Sequence, residues 1–136
     1  MTRFLAIDLG DRRTGLATGD DNTHLVSPLV VLEIPPGPAL VDAIVRSAED
    51  YGADALVIGL PLNMDGTEGP RVKIVRTFCA SLAAQTELPI HEQDERLSSY
   101  AAEGRLAQSG RTHGQKKRIR DAMAAAEILG DFLGRG

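Results

Sequence analysis

The fold is decided by residues 3–33, which read RFLAIDLGDRRTGLATGDDNTHLVSPLVVLE. Three strand-like apolar stretches, at 3–8, 14–19 and 25–33, are separated by two short polar connections. The second of these connections begins with the turn-forming run Asp20-Asp21-Asn22. Because short polar connections between neighbouring strands favour hairpins, this stretch predicts an antiparallel β-meander.

The remaining chain alternates between helical and extended patterns. After the breaker cluster at 35–38, apolar residues recur at helical spacing, and similar helical patterns cover about 70–85 and 115–133. Between the helices lie the apolar run 55–60, typical of a central strand covered on both faces, and a fifth strand near 88–94. The sequence therefore predicts an α/β fold with a five-stranded mixed sheet. In it an antiparallel β1-β2-β3 meander is followed by parallel strands, and helices flank the sheet.

The composition limits the classes of function. The 136 residues are 43% hydrophobic and 25% charged, as in a folded globular protein, and we expect one domain over 1–136. Aromatic residues make up only 4% and Trp is absent, which argues against a base-stacking platform for single strands. The lone Cys79 excludes an intrachain disulfide and a Cys-rich zinc site, and we expect it to be a core residue. No signal-like or membrane-spanning segment is recognisable, so we expect a cytoplasmic protein with no membrane partner.

Acidic residues occupy positions where a carboxylate is costly. Asp8 ends the apolar first strand, and the neighbours Asp94 and Glu95 end the fifth. Asp121 lies on a stripe of the last helix that is otherwise apolar. The other members of that stripe are Ala124, Ala125, Ile128 and Phe132. Burying a lone carboxylate costs several kcal/mol unless it is paired or bound to a metal.

These acids can converge at one edge of the predicted sheet. Carboxylate oxygens suit Mg²⁺ or Mn²⁺, and two such ions about 4 Å apart can promote phosphodiester hydrolysis. Structural alternatives remain for each acid: Asp8 could cap the next turn, Asp94 or Glu95 could cap a helix, and Asp121 could pair with Arg120 or with a buried partner. Neighbouring strand residues point to opposite faces, so the pattern alone does not choose between Asp94 and Glu95.

Basic residues are unevenly distributed, although the formal net charge is −4. The turn after Asp8 contains Gly10, Arg12 and Arg13, and its amides and guanidinium groups could hold a phosphate. Seven basic residues and a single acid, Glu103, fall within 96–120. The basic ones are Arg96, Arg105, Arg111, Lys116, Lys117, Arg118 and Arg120. Such a cluster is typical of a surface that binds a phosphate backbone, the alternative being a solvated helix start.

Four motifs together resemble the YqgF family, also called RuvX. They are AIDLGDRRTGLA at 6–17, VIGLPLNMDGT at 57–67, DERLSS at 94–99 and DAMAAAEIL at 121–129. The resemblance covers nearly the whole chain, and the one departure is Ser98-Ser99, where the family usually has threonines. It implies an RNase H-like fold similar to that of the RuvC Holliday junction resolvases.

The resemblance also implies a function and a site. Asp8, Glu95 and Asp121 would be the catalytic and metal-binding acids of a two-metal nuclease using Mg²⁺ or Mn²⁺. The positions expected to bind nucleic acid are Arg12, Arg13, Arg96, Lys116, Lys117 and Arg118. The expected substrate is structured RNA or branched DNA, first of all the 5′ end of pre-16S ribosomal RNA in pre-ribosomal particles. The alternative is resolution of four-way DNA junctions, which would favour a homodimer over a monomer.

Two other classes of function are compatible with the sequence. One is a nucleic-acid-binding protein without catalysis, in which the acids are structural. The other is a nucleotide-binding module, because the turn at 8–15 also resembles the first phosphate loop of actin-like ATPases. Those enzymes close two such domains around ATP, whereas this chain has the length of one.

Overall fold

The computed structural model describes residues 1–95 and 113–134, the side chains of 113–119 excepted. In this part of the chain the elements follow the predicted order β-β-β-α-β-α-β-α. Their bounds are β1 Arg3–Asp8, β2 Thr14–Asp20, β3 Val26–Leu32, α1 Pro38–Tyr51, β4 Ala55–Leu60, α2 Pro70–Ala83, β5 Ile90–Asp94 and α3 His113–Gly134. No helix among the described residues combines the length and apolar character needed to cross a membrane.

The sheet is mixed, as predicted. Its strand order is β3-β2-β1-β4-β5, with β1 and β3 antiparallel to β2, and β4 parallel to both β1 and β5. Because β1, β4 and β5 run in the same direction, their carboxyl ends meet at one edge. We call this edge, which carries Asp8, Leu60 and Asp94 at the three strand ends, the acidic edge.

Helices cover both faces of the sheet. Helices α1 and α2 pack on one face against a large aliphatic core that includes Leu5, Ile7, Leu16, Leu56 and Ile58. Helix α3 packs on the other face against a core that includes Phe4, Ala6, Ala17, Val57 and Ala125. The partly buried Cys79 packs against the first core, and burial raises the pKa of its thiol to about 11. Cys79 is thus a core residue, as predicted.

Local sequence signals explain where α1 and α2 begin. Each starts with a proline that follows a glycine, at Gly37-Pro38 and Gly69-Pro70. Proline suits the first helical position because its fixed φ matches the helix and no backbone N–H is needed there. Helix α1 ends at Gly52, which adopts a left-handed conformation and donates its N–H to the carbonyl of Ala48 at 3.0 Å.

Candidate active site

Asp8 and Glu95 approach each other on the α3 face of the sheet. Asp8 shares the face of Ala6, which packs under α3, because side chains alternate along a strand. Gln93 lies opposite Gly59 in the β4–β5 register, and Glu95, two residues further on, returns to the same face. The N–H of Glu95 donates to the carbonyl of Leu60 at 3.3 Å, which fixes the backbone beyond β5.

The environment of the two carboxyl groups raises the pKa of both. Burial raises the pKa of Asp8 well above its usual value, and the charge and hydrogen bond of Glu95 and the charge of Asp121 add to this. Burial also raises the pKa of Glu95, while the hydrogen bond from Asp8 and the charge of Arg71 work in the opposite direction. The negative charge of both side chains is therefore disfavoured at this edge, mainly because they are buried.

The strand register distinguishes Asp94 from Glu95, which the sequence pattern did not. Asp94 pairs with Leu60, whose side chain belongs to the core under α1 and α2. Asp94 thus belongs to the opposite face of the sheet from Asp8, and only its charge acts on Glu95, whose pKa it raises. Of these two acids, Glu95 is therefore the one on the face of Asp8.

Asp121 is brought to the acidic edge by a close contact between α3 and β2. Gly15 lies directly opposite Asp8 in the β1–β2 register. A Cβ atom at Gly15 would overlap the backbone carbonyl of Asp121 and lie 2.9 Å from the nitrogen of Ala122. The helix backbone therefore rests on the strand backbone at this point. The charge of Asp121 is close enough to raise the pKa of Asp8.

A second glycine makes room for Glu95. A Cβ atom at Gly59 would lie 2.5 Å from Oε2 of Glu95 and 2.6 Å from Cδ1 of Ile128. The sequence analysis missed these roles of Gly15 and Gly59. A glycine inside a strand pattern, which often marks a close approach of another backbone or group, was the available signal.

The carboxylate of Asp121 contacts Arg13. Oδ2 of Asp121 lies 3.4 Å from Nε of Arg13, and the two side chains are 28% and 32% exposed. Asp121 thus has a basic, partly buried partner, which is the kind of contact that the structural interpretation of this acid requires. Within the described ranges, no three His, Cys, Asp or Glu side chains are grouped as a metal ion would need. The acidic edge instead holds two pairs, Asp8 with Glu95 and Arg13 with Asp121.

The donor set of the acidic edge nevertheless suits a divalent cation. Asp8, Glu95 and Asp121 present only carboxylate oxygens, the ligands that Mg²⁺ and Mn²⁺ prefer. The raised pKa values of Asp8 and Glu95 show that their negative charges lack a compensating positive charge at this edge. A bound cation could supply that charge. The three residues fit such an ion in ligand chemistry.

Arg71 reaches the acidic edge from the first turn of α2, which the sequence analysis missed. Its Nη1 donates to Oδ1 of Asp11 at 2.7 Å and its Nη2 to the carbonyl of Leu9 at 3.1 Å. Its charge opposes the rise in the pKa of both Asp8 and Glu95. A basic residue in the first turn of a helix opposes the macrodipole, and this was the signal that could have indicated it.

The turn after Asp8 folds back on itself at Gly10. Gly10 has no positive φ; a Cβ atom there would overlap the carbonyl oxygen of Arg13. The turn therefore needs a glycine because its own backbone folds back on it. Within this turn Arg12 is exposed, and Arg13 is directed at Asp121.

The other predicted nucleic-acid-binding residues can be placed only by their position along the chain. Lys116, Lys117 and Arg118 belong to α3 and precede Asp121 in the same helix, but their side chains are outside the described residues. Arg96 also lies outside them. The basic cluster therefore remains a prediction.

Comparison with known proteins identifies the family. A family model described as RuvX, Holliday junction resolvase, matches residues 2–135. The chain belongs to the RuvX family. A protein of Anaeromyxobacter sp. (strain K), named as a candidate pre-16S rRNA nuclease, is 40% identical over 133 residues. The matched region covers 98% of this chain and 97% of that protein. One from Chloroflexus aurantiacus with the same name is 36% identical over 130 residues, covering 96% of this chain and 85% of its own.

Solved structures place this RuvX protein in the RNase H-like fold of the resolvases. The Fowlpox virus resolvase in complex with Holliday junction DNA superposes with a TM-score of 0.61 at 10% identity, covering 98% of each chain. RuvC of Thermus thermophilus in complex with a Holliday junction superposes with a TM-score of 0.58 at 13% identity, covering 99% of this chain and 95% of RuvC. The fold expected from the resemblance is thus confirmed, and the family to which the chain belongs is one of nucleases.

Proposed function

We propose that this RuvX protein is a metal-dependent nuclease that hydrolyses phosphodiester bonds of structured nucleic acid at the acidic edge. The observation that carries the proposal is the placement of Asp8, Glu95 and Asp121 on the α3 face of the sheet. A fold gains nothing in stability from placing two further carboxylates where their charges raise the pKa of Asp8, so the arrangement is better explained by function.

The three acids would hold the metal ions. When bound, Mg²⁺ or Mn²⁺ would stabilise the negative charge that develops on the phosphate during hydrolysis. Asp8 must release its proton for the site to present its full negative charge, and Arg71 favours that release. Through its bonds to Asp11 and the Leu9 carbonyl, Arg71 also fixes the turn that follows Asp8.

The basic residues would bind and orient the nucleic-acid backbone without reading its sequence. Arg12 and Arg13 lie in the turn after Asp8, and Lys116, Lys117 and Arg118 precede Asp121 on α3. Arg96 directly follows Glu95 in the sequence. The net charge of the whole chain is negative, so a phosphate backbone would be drawn to this local cluster.

We propose 5′-end processing of pre-16S ribosomal RNA as the physiological reaction, because the curated relatives carry that name at up to 40% identity. The cytoplasm, where such RNA matures in bacteria, would be the compartment. Resolution of DNA junctions is the second candidate, favoured by the description of the family model. A resolvase would need two sites related by symmetry and hence a homodimer, whereas RNA processing is compatible with a monomer.

Cleavage assays test the proposal directly. Labelled structured RNA, linear DNA and a four-way junction are incubated with Mn²⁺, Mg²⁺ or EDTA, using the wild type and Asp8→Asn, Glu95→Gln and Asp121→Asn. We expect metal-dependent cleavage by the wild type and a loss of at least about a hundredfold in each variant. The preferred substrate would choose between RNA processing and junction resolution.

Asp94→Asn is the matched control, because it removes the neighbouring carboxylate on the opposite face of the sheet. It should retain cleavage within a few-fold of the wild type. Binding of all substrates without cleavage under any metal would instead support a nucleic-acid-binding protein without catalysis. Normal cleavage by Asp121→Asn would show that the three-acid site is wrong.

A further inference from the structure

We propose that Arg13 is a positioning residue that holds the Asp121 carboxylate until a phosphate of the nucleic acid draws its guanidinium away. Binding of the substrate and binding of the divalent cation would then reinforce each other. The inference rests on the proposed function and deepens it, because it states how binding of the nucleic acid and binding of the cation at the acidic edge depend on each other.

The Arg13–Asp121 contact is of a kind that can be exchanged. The atoms Nε and Oδ2 are 3.4 Å apart, and about a third of each side chain is exposed. Partly exposed ion pairs are weak. A phosphate can accept two parallel N–H groups from one guanidinium, so it competes well with a carboxylate for Arg13.

The backbone on both sides of Arg13 is held in place, so the exchange needs only a side-chain movement. The carbonyl of Arg13 packs against Gly10, and Gly15 packs against the backbone of Asp121. The other arginine at this edge, Arg71, is already engaged with Asp11 and the Leu9 carbonyl. Of these two arginines, Arg13 is the one in direct contact with Asp121.

A competition between Arg13 and the cation follows from this geometry. Both would bind the same carboxylate of Asp121, so each weakens the binding of the other. A phosphate that takes Arg13 away removes the competitor and raises the affinity for the cation. Thermodynamic linkage then requires the cation to raise the affinity for the phosphate backbone by the same factor.

The first test is a titration of the full chain with Mn²⁺ alone, in which electron paramagnetic resonance measures the free ion. We expect Arg13→Gln to bind Mn²⁺ about two- to fivefold more tightly than the wild type, as expected from losing a weak ion pair. The gain should disappear when Asp121→Asn is also present, because the competed carboxylate is then gone. Thermal melts of the variants should stay within a few degrees of the wild type.

Arg12→Gln is the matched control, since it removes the same charge from the same turn at an exposed position. It should raise the affinity for Mn²⁺ less than Arg13→Gln does. A gain of equal size in Arg12→Gln, or a gain that persists when Asp121→Asn is also present, would mean that Arg13 acts only through its general positive charge. Either result would overturn the proposal.

A second test needs no metal. In EDTA, fluorescence anisotropy with a labelled RNA hairpin should show tighter binding by Asp121→Asn than by the wild type, because Arg13 is released. That gain should be absent in the double variant with Arg13→Gln. If Mn²⁺ binding depends on Asp8 and Asp121 but not on Arg13, this inference alone fails. If the wild type binds no Mn²⁺ at these acids, the proposed metal site fails and this inference fails with it.

Discussion

The two faces of the sheet are packed by side chains of different size. Under α1 and α2 the fully buried residues are large aliphatics, among them Leu5, Ile7, Leu16, Leu40, Ile44, Leu56 and Ile58. Under α3 large residues such as Phe4, Ile128 and Leu129 are joined by small ones, among them Ala6, Gly15, Ala17, Gly59, Ala124, Ala125 and Ala126. The face under α1 and α2 holds the larger aliphatic core, whereas under α3 a helix backbone lies directly on a strand backbone.

This difference explains where the chemistry is located. A carboxylate is a short side chain, so an acid on a helix meets acids on a sheet only where the two backbones come close. Large side chains between the layers, as under α1 and α2, would keep them apart. The small residues of the α3 face allow Asp121 to approach Asp8 and Glu95, and stability on that side is limited by how little apolar area such residues bury.

The largest expected effect comes from filling the closest contact on the α3 face. Gly15→Ala would place a Cβ atom on the backbone carbonyl of Asp121, which no side-chain rotation can relieve. We expect a loss of about 3 kcal/mol in the free energy of unfolding, measured by urea denaturation, and a loss of Mn²⁺ binding.

Gly130→Ala is the control for this substitution, because a Cβ atom there would meet only Cγ2 of Val26, at 4.0 Å. Gly130 lies inside α3, where alanine is favoured over glycine by up to about 1 kcal/mol. The control should therefore stabilise the protein. A Gly15→Ala variant that is as stable as the wild type would show that α3 does not rest on β2.

A smaller effect on stability is expected when the same methyl group is removed from an isoleucine on each face of the sheet. Ile44→Val under α1 and Ile128→Val under α3 each remove one fully buried methyl group. Each should lower the free energy of unfolding by about 1 kcal/mol. Only Ile128→Val should weaken Mn²⁺ binding, by a few-fold, because Cδ1 of Ile128 packs beside Gly59, where Glu95 also lies. Equal Mn²⁺ affinities in the two variants would contradict the division of roles between the faces.

Much of this arrangement follows from local patterns in the sequence. The alternation and turn signals of 3–33 predicted the meander, and the apolar run at 55–60 predicted the buried central strand. The apolar stripe of the last helix predicted its buried side, and Ala124, Ala125 and Ile128 of that stripe are buried. These patterns succeed because each depends on neighbouring residues and on burial alone.

The parts that the sequence did not predict depend on register or on contacts between distant residues. The alternation pattern left Asp94 and Glu95 open, and the pairing of Asp94 with Leu60 places the two acids on opposite faces. Arg71 meets Asp11 across 60 positions of the chain. The contact of Arg13 with Asp121 joins two motifs at opposite ends of the sequence. No local periodicity carries such information, so the roles of the arginines became visible only in three dimensions.

The smallest expected effect concerns the proton on Asp8. Because the pKa of Asp8 is raised in the folded protein, the native state binds that proton more tightly than the unfolded chain does. Stability from this source is present at low pH and is lost as the pH rises from the unfolded value through the raised native value. Asp8→Asn stays neutral at every pH and avoids that loss, so it should be more stable than the wild type at pH 7.

Thermal melts at pH 4 and pH 7 measure this difference. The advantage of Asp8→Asn should be small at pH 4, where the wild type still carries the proton, and should grow by pH 7 to a few degrees in Tm. Asp50→Asn, at an exposed position on α1, serves as the control and should change stability little at either pH. If the difference in Tm between Asp8→Asn and the wild type is the same at both pH values, the charge of Asp8 does not lower the stability of the protein. If that difference grows with pH, keeping the carboxylates together on the α3 face lowers the stability, a cost that is absent from the aliphatic face under α1 and α2.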